Sequence, residues 1–477
     1  MNPNPDPFDS TSPKTSSLRA RWRWFLIAGC ALVILVGIFR RSLQDDSVVA
    51  RATRNPTEAS GAGAASTSWR GLRLANSSGS LTTNTAEEIV AGKVNQFGRN
   101  RRELVRTIAR RSNKDVPPEI EKFFDAIEAG RWEEIDVQWK ALSKRSGQYE
   151  GSTHSPELDD FWPAVLDAYG VAEQAHLWPA QKLLDYGNAI LDTLRPGMVY
   201  VGGTDPGRWI PELLNETSGG EQHVIVTQNA FADARYLDFM NTLYGDRMAT
   251  LTQEDSQRAF QEYVTDAQKR LDHDTQFPDE PKQVRPGEDI RVTDGRVQVS
   301  GQVAVMAINE KLFQTMMDKN PDVSFAIEQS FPFKSTYDSA VPAGPIMEVR
   351  APDGQNALTQ ERAAQSVDYW RTTSQQLLAD SQAVDSREVS LSYAKLASSQ
   401  AALLLARNYT TEAEQTFQLA TQIGPGSPDA VFGYVNLLVG QNRIEDAIPV
   451  AESAIKSNPD NQGFRDLLNQ LQTKKKN

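Results

Sequence analysis

The C-terminal stretch of this chain repeats itself at an interval of 34 residues. Ala413, Phe417, Ala420 and Pro425 recur as Ala447, Ala451, Ala454 and Pro459, and Leu404 and Asn408 recur as Leu438 and Asn442. A period of this length holds one helix–turn–helix unit, which cannot bury its apolar face alone and must stack on neighbours. Small alanines let the second helix of a unit lie close against the first. The proline ends that helix before the next unit begins. The closing stretch "FRDLLNQLQTKKKN" carries Phe464, Leu467, Leu468 and Leu471 on one helical face and reads as a cap, its terminal lysines simply solvated.

A 34-residue helix pair is the period of the tetratricopeptide repeat, whose concave groove implies a protein or peptide partner. Two units and a cap are too few to stand alone, so the array needs a neighbour. "LTQERAAQSVDYWRTTSQQLLAD" (358–380) is an amphipathic helix with Trp370 and Leu377 placed to supply one. The reading assigns a connecting helix to 351–390 and the repeats with their cap to 391–477.

The other end of the chain points to a membrane. Residues 24–39 are an uncharged apolar run of 16, bracketed by Arg19, Arg21 and Arg23 before it and Arg40 and Arg41 after it. As a helix it is about 24 Å long against a hydrocarbon core of about 30 Å, and snorkelling arginines close that gap. One N-terminal transmembrane helix is expected here, following a disordered tail at 1–23. "IAGC" (27–30) has the letters of a lipidation box, but most of the apolar stretch follows the cysteine instead of preceding it, and no small-residue cleavage site precedes the arginine pair. Basic residues balance across the span, with Lys14 and three arginines before it and Arg40, Arg41, Arg51 and Arg54 after it. The expected orientation is that of a single-pass signal anchor, with the bulk of the chain periplasmic. Residues 40–87, rich in Ala, Gly, Ser and Thr, read as a flexible linker.

Cys30 is the one cysteine, so no internal disulfide can form. The net charge of −12 repels phosphate backbones and argues against nucleic acid as a partner.

Residues 88–150 read as a helical hairpin region. It opens on the basic helix "RRELVRTIARRS", and Pro117 and Pro118 start the next. Phe123, Phe124 and Ile127 precede a break at Gly130, and Trp132, Ile135, Trp139 and Leu142 follow at helical spacing. From 151 to 350, helical text alternates with the short runs "MVYVGG", "HVIVTQ", "RVQVS" and "VSFAI". This alternation predicts an α/β domain with a mostly parallel sheet, interrupted by the polar excursion "HDTQFPDEPKQVRPGEDIRVTDGR".

Within that domain "YVGGTDPGRWIPELL" raises the functional question. Gly202 and Gly203 end a strand where backbone can approach something closely. Thr204 or Asp205 can cap a helix that Pro206 opens. That is a sufficient structural reading. In an open α/β sheet, however, ligands bind beyond the carboxyl ends of strands. Gly202, Gly203, Thr204, Asp205 and Arg208, with Gln228, Asn229 and Asp233 from the next strand end, would form such an edge, suited to sugar hydroxyls or a cation as a small-molecule ligand. Thr227 would lie at the same edge. No phosphate loop, dinucleotide fingerprint, nucleophile elbow or zincin motif occurs, and the four histidines show no ligand spacing. No catalytic residue, metal or cofactor is assigned, and a binding protein is favoured over an enzyme.

"VYVGGTDPGRWIP", "VTQNAFADARYLDFM", "DSQRAFQEY" and "FAIEQSFPF", with the repeats behind them, resemble a group of bacterial membrane-anchored tetratricopeptide-repeat proteins over roughly residues 100–470. The strand–GGTDPGR segment is also distantly similar to the soluble domain of multispanning glycosyltransferase-like proteins. This chain has one expected span and lacks that membrane body, and the stretch after "SFPF" is smaller and less aromatic than in the group. The resemblance brings no catalytic residues. It implies an envelope scaffold or assembly protein, with an enzyme or sugar-binding accessory acting at the GGTDPGR/TQNAFAD edge as the alternative.

Overall fold

A computed structural model describes residues 84–149, 151–293, 296–349 and 358–476. The expected tail and membrane segment, and nearly all of the linker, lie outside the described residues. Among those described, no helix is long and apolar enough to cross a membrane.

The first helices are α1 (Ala86–Ser112), α2 (Pro118–Glu128) and α3 (Trp132–Ser143). α1 opens on a capping box between Thr85 and Glu88 and closes on Asn113 in the left-handed region, so local chemistry sets both ends. Arg102 of α1 reaches Glu121, Asp125 and Glu128 of α2. Trp139 of α3 is buried, stacked on Tyr169 at 4.0 Å and on Trp162 at 5.0 Å. Both partners belong to α4 (Trp162–Leu177), which α5 (Ala180–Leu191) follows.

The sheet comprises β1 (Val199–Gly202), β2 (Val224–Thr227), β5 (Phe325–Ile327), β6 (Ala340–Ala343) and β7 (Ile346–Val349), in the order β2-β1-β5-β7-β6. β1 pairs in parallel with β2 and β5, while β7 pairs antiparallel with β5 and β6. The sheet is therefore mixed, and the expectation of a mostly parallel one is corrected. The difference is the β6–β7 hairpin, two four-residue strands that turn at Gly344 (φ 51°) and are too short to show an alternating pattern. "RVQVS" is likewise no strand of this sheet. It forms β4 (Arg296–Ser300), paired only with β3 (Asp289–Thr293) from the segment read as a polar excursion. Helices α6 (Asp205–Glu216), α7 (Ala234–Tyr244), α8 (Gln253–Gln276) and α9 (Gln302–Lys319) complete this part, and β3–β4 rests on α8 and α9. The described chain is mostly helical around a small mixed sheet.

The remaining elements are α10 (Gln360–Ala379), the short α11 (Ser381–Asp385), α12 (Arg387–Ala406), α13 (Thr410–Ile423), α14 (Pro428–Gly440), α15 (Ile444–Ser457) and α16 (Gln462–Lys476). Each of α12 to α15 packs on its successor. Leu404, Ala413, Ala420, Leu438, Ala447, Ala451 and Ala454 have no exposure, and Phe417 is buried with its ring edge against Gly433. Pro425 and Pro459 sit in the turns after α13 and α15. With Ala447 wholly buried, Ala447→Leu is expected to overpack the helix crossing and cost about 1–3 kcal/mol, read as a lower melting temperature.

The neighbour that the short array requires comes from two sources. α10 packs on α13 and α12 with Trp370 fully buried, and the β6–β7 hairpin abuts α12. Gln400 of α12, also fully buried, makes the joint. Its amide donates to the carbonyls of Gly344 (2.8 Å) and Ile346 (2.9 Å), and its Oε1 accepts from Ser366 Oγ (2.7 Å) and Trp370 Nε1 (3.0 Å). Ser399 Oγ donates to the Gln329 carbonyl at 3.1 Å, and Arg407 to those of Tyr337 and Asp338.

Candidate functional site

The β1–α6 turn is built around a carboxylate from another strand. β5 delivers Glu328, 1 % exposed, to the N-terminus of α6. Its Oε2 accepts from the N–H groups of Gly203 (2.7 Å) and Thr204 (3.0 Å), and its Oε1 accepts from the Thr204 hydroxyl. Thr204 Oγ1 in turn caps Gly207 N–H at 3.0 Å. A helix N-terminus with free N–H groups attracts an anion, and here the chain supplies its own. Burial raises the carboxyl of Glu328, while the bonds from Thr204 and Gly203 oppose that rise.

The glycines make this contact possible. A Cβ on Gly207 would stand 1.8 Å from Glu328 Oε2, one on Gly203 would stand 2.3 Å from Ser330 N, and one on Gly202 would stand 2.7 Å from the Gly207 carbonyl. Tyr200 from β1 donates its hydroxyl to that same carbonyl at 2.7 Å.

The residues after Glu328 close the neighbouring strand end. Ser330 N donates to Gln228 Oε1 (3.2 Å) and Ser330 Oγ to Asn229 Oδ1 (2.9 Å). Gln228 Nε2 donates to the Phe331 carbonyl (3.0 Å), and Asn229 Nδ2 to that of Gly203. Gly202, Gly203, Thr204, Gln228 and Asn229 are thus brought together around the Glu328–Ser330 corner. The others lie apart from it. Asp205 is the first residue of α6, Asp233 caps α7 through Arg235 N–H at 2.9 Å, and Arg208 turns inward to bond Asp167.

Arg208 belongs to a second cluster that sequence reading missed. Arg101 of α1, 2 % exposed, reaches Glu212 (2.8 Å) and Glu216 (2.6 Å) of α6 and lies 3.4 Å from Asp167 of α4. Asp167 has no exposure. Among the described residues, no group of three or more His, Cys, Asp or Glu side chains is arranged to hold a metal ion. Glu328 carried one legible signal, an acidic residue directly after the apolar run "FAI". Asp167 and Arg101 carried none.

Residues 404–471 match the tetratricopeptide repeat family. No match to the chain is found among curated proteins or among solved structures. The matched stretch runs from the end of α12 into α16 and forms tetratricopeptide repeats, a module that serves protein–protein interaction.

Proposed function

We propose that this chain is a single-pass scaffold or assembly protein of the cell envelope, anchored through residues 24–39 with its bulk periplasmic, and that it holds a protein or peptide partner on the repeat array. The observation that carries this reading is the repeat family match over 404–471. The joint at Gln400 supports it, because an array docked through a fully hydrogen-bonded buried side chain presents its surface at a set angle to the rest of the chain. The turn at Gly203 adds support, since the N–H groups of Gly203 and Thr204 already hold Glu328 and are not open to a ligand of the sugar-binding or enzymatic alternative.

The test uses full-length protein as bait in membranes, beside a chain carrying Leu405→Glu and Asn436→Arg, two exposed array positions. Partner recovery is expected to fall at least about tenfold, equivalent to about 1.4 kcal/mol, with an unchanged melting temperature. Equal recovery on both baits would remove the array from the reading. External protease should digest the chain in spheroplasts, and protection there would reverse the orientation.

A further inference from the structure

We propose that the cluster joining α1 to α4 and α6 holds one proton, on Glu212 Oε2, and that this proton latches α1 onto the domain. Two guanidiniums, Arg101 and Arg208, face three carboxylates, Asp167, Glu212 and Glu216. Of the five, Glu216 and Arg208 touch solvent, their side chains being 21 % and 11 % exposed, and the other three are buried. With every acid ionised the cluster carries one surplus negative charge out of water, which is costly.

The oxygens locate the proton. Glu212 Oε1 accepts from Arg101 at 2.8 Å, but Glu212 Oε2 is buried without a hydrogen-bond partner, 3.7 Å from Arg208 Nε. Asp167 Oδ1 accepts from Arg208, whereas Asp167 Oδ2 is also buried without a hydrogen-bond partner. Asp167 Oδ2 still lies 3.4 Å from Arg101 Nε, closer to a guanidinium than Glu212 Oε2 is, so a proton on Glu212 Oε2 sits on the less compensated oxygen, turns an orphan acceptor into a hydroxyl and balances the charge. The other titratable or charged groups around Glu212 are Tyr236 and Tyr244 of α7 and, further along α1, Lys93, which bonds Thr217 just after α6. None of these adds a positive charge beside Glu212. Burial, and then the charge of Asp167, push Glu212 up to about 8.

The native chain binds this proton more tightly than the unfolded chain, whose glutamate titrates near 4.5. Stability therefore falls as pH rises from the ordinary carboxylate range through the folded value.

Infrared difference spectra of the full chain, taken from about pH 6 to about pH 10, test this. A carboxylic-acid C=O band should vanish on alkalinisation in the wild type, be missing in Glu212→Gln and persist in Glu328→Gln, the control for the other raised buried acid. The melting temperature should fall with pH in the wild type and fall less steeply in Glu212→Gln. If Glu212→Gln does not fold, Asp167→Asn serves: removal of the neighbouring charge should move the midpoint of the band to lower pH. A Glu212→Gln chain with the wild-type band and slope, or an Asp167→Asn chain with an unmoved midpoint, would overturn the assignment.

Discussion

A Gln400→Leu chain is expected to lose about 3–5 kcal/mol of stability and to unfold in two steps. Leucine fills nearly the same volume, so the loss is one of hydrogen bonding and not of packing. The Gln400 amide satisfies two carbonyls of the β6–β7 hairpin and two donors of α10, three of these bonds buried and the one to Gly344 part-buried. Removing it strands the Trp370 N–H, the Ser366 hydroxyl and the Ile346 carbonyl, each buried and costing about 1–3 kcal/mol before relaxation, and frees the part-buried Gly344 carbonyl. Since these groups belong to the sheet and to α10, the array loses its hold on both. Ser399→Ala is the matched control, because it removes one part-buried bond at the same face and should cost about 1 kcal/mol. A single transition for Gln400→Leu, within about 1 kcal/mol of the wild type, would show that apolar contact alone holds the array.

The contrast between these sites and the repeat explains what was readable in the sequence. Ala413 and Ala447 stand at the same point of successive helix pairs, so a local spacing records a local burial. The cap residues Thr204 and Asp233 are legible for the same reason, each bonding an N–H two or three residues on. Glu328 lies 125 residues from the N–H group it accepts from in Gly203, and Arg101 lies 111 residues from Glu212. Which acid meets which donor is decided by how the sheet and helices pack, and spacing holds no trace of it. The mixed sheet escaped for a related reason. β6 and β7 are four residues each, and β7 is buried along its whole length, so neither shows the alternation that marks a half-exposed strand.

Gly207→Ala is expected to cost about 3–5 kcal/mol, although alanine is ordinarily the better helix residue by about 1 kcal/mol. The three atoms nearest to the new Cβ all belong to the Glu328 side chain, at 1.8, 2.1 and 2.3 Å. A flexible side chain could swing away cheaply, but this one is held by two backbone N–H groups and a hydroxyl in a buried site. Displacing it leaves the N–H groups of Gly203 and Thr204 unpaired and the carboxylate without donors. Glu328→Gln should be far milder, about 1 kcal/mol, because the amide oxygen can accept from Gly203 and Thr204 while the amide nitrogen donates to Thr204 Oγ1. Glu328→Ala should lose about 2–4 kcal/mol through the stranded N–H groups. The decisive measurement is the double-mutant cycle. In the Glu328→Ala background the obstacle is gone, so Gly207→Ala should change sign and stabilise by about 0.5–1 kcal/mol through helix propensity. If Gly207→Ala costs as much with Glu328 absent as with it present, the carboxylate does not fill this turn, and the N–H groups of Gly203 and Thr204 return to candidacy as a site for an external ligand.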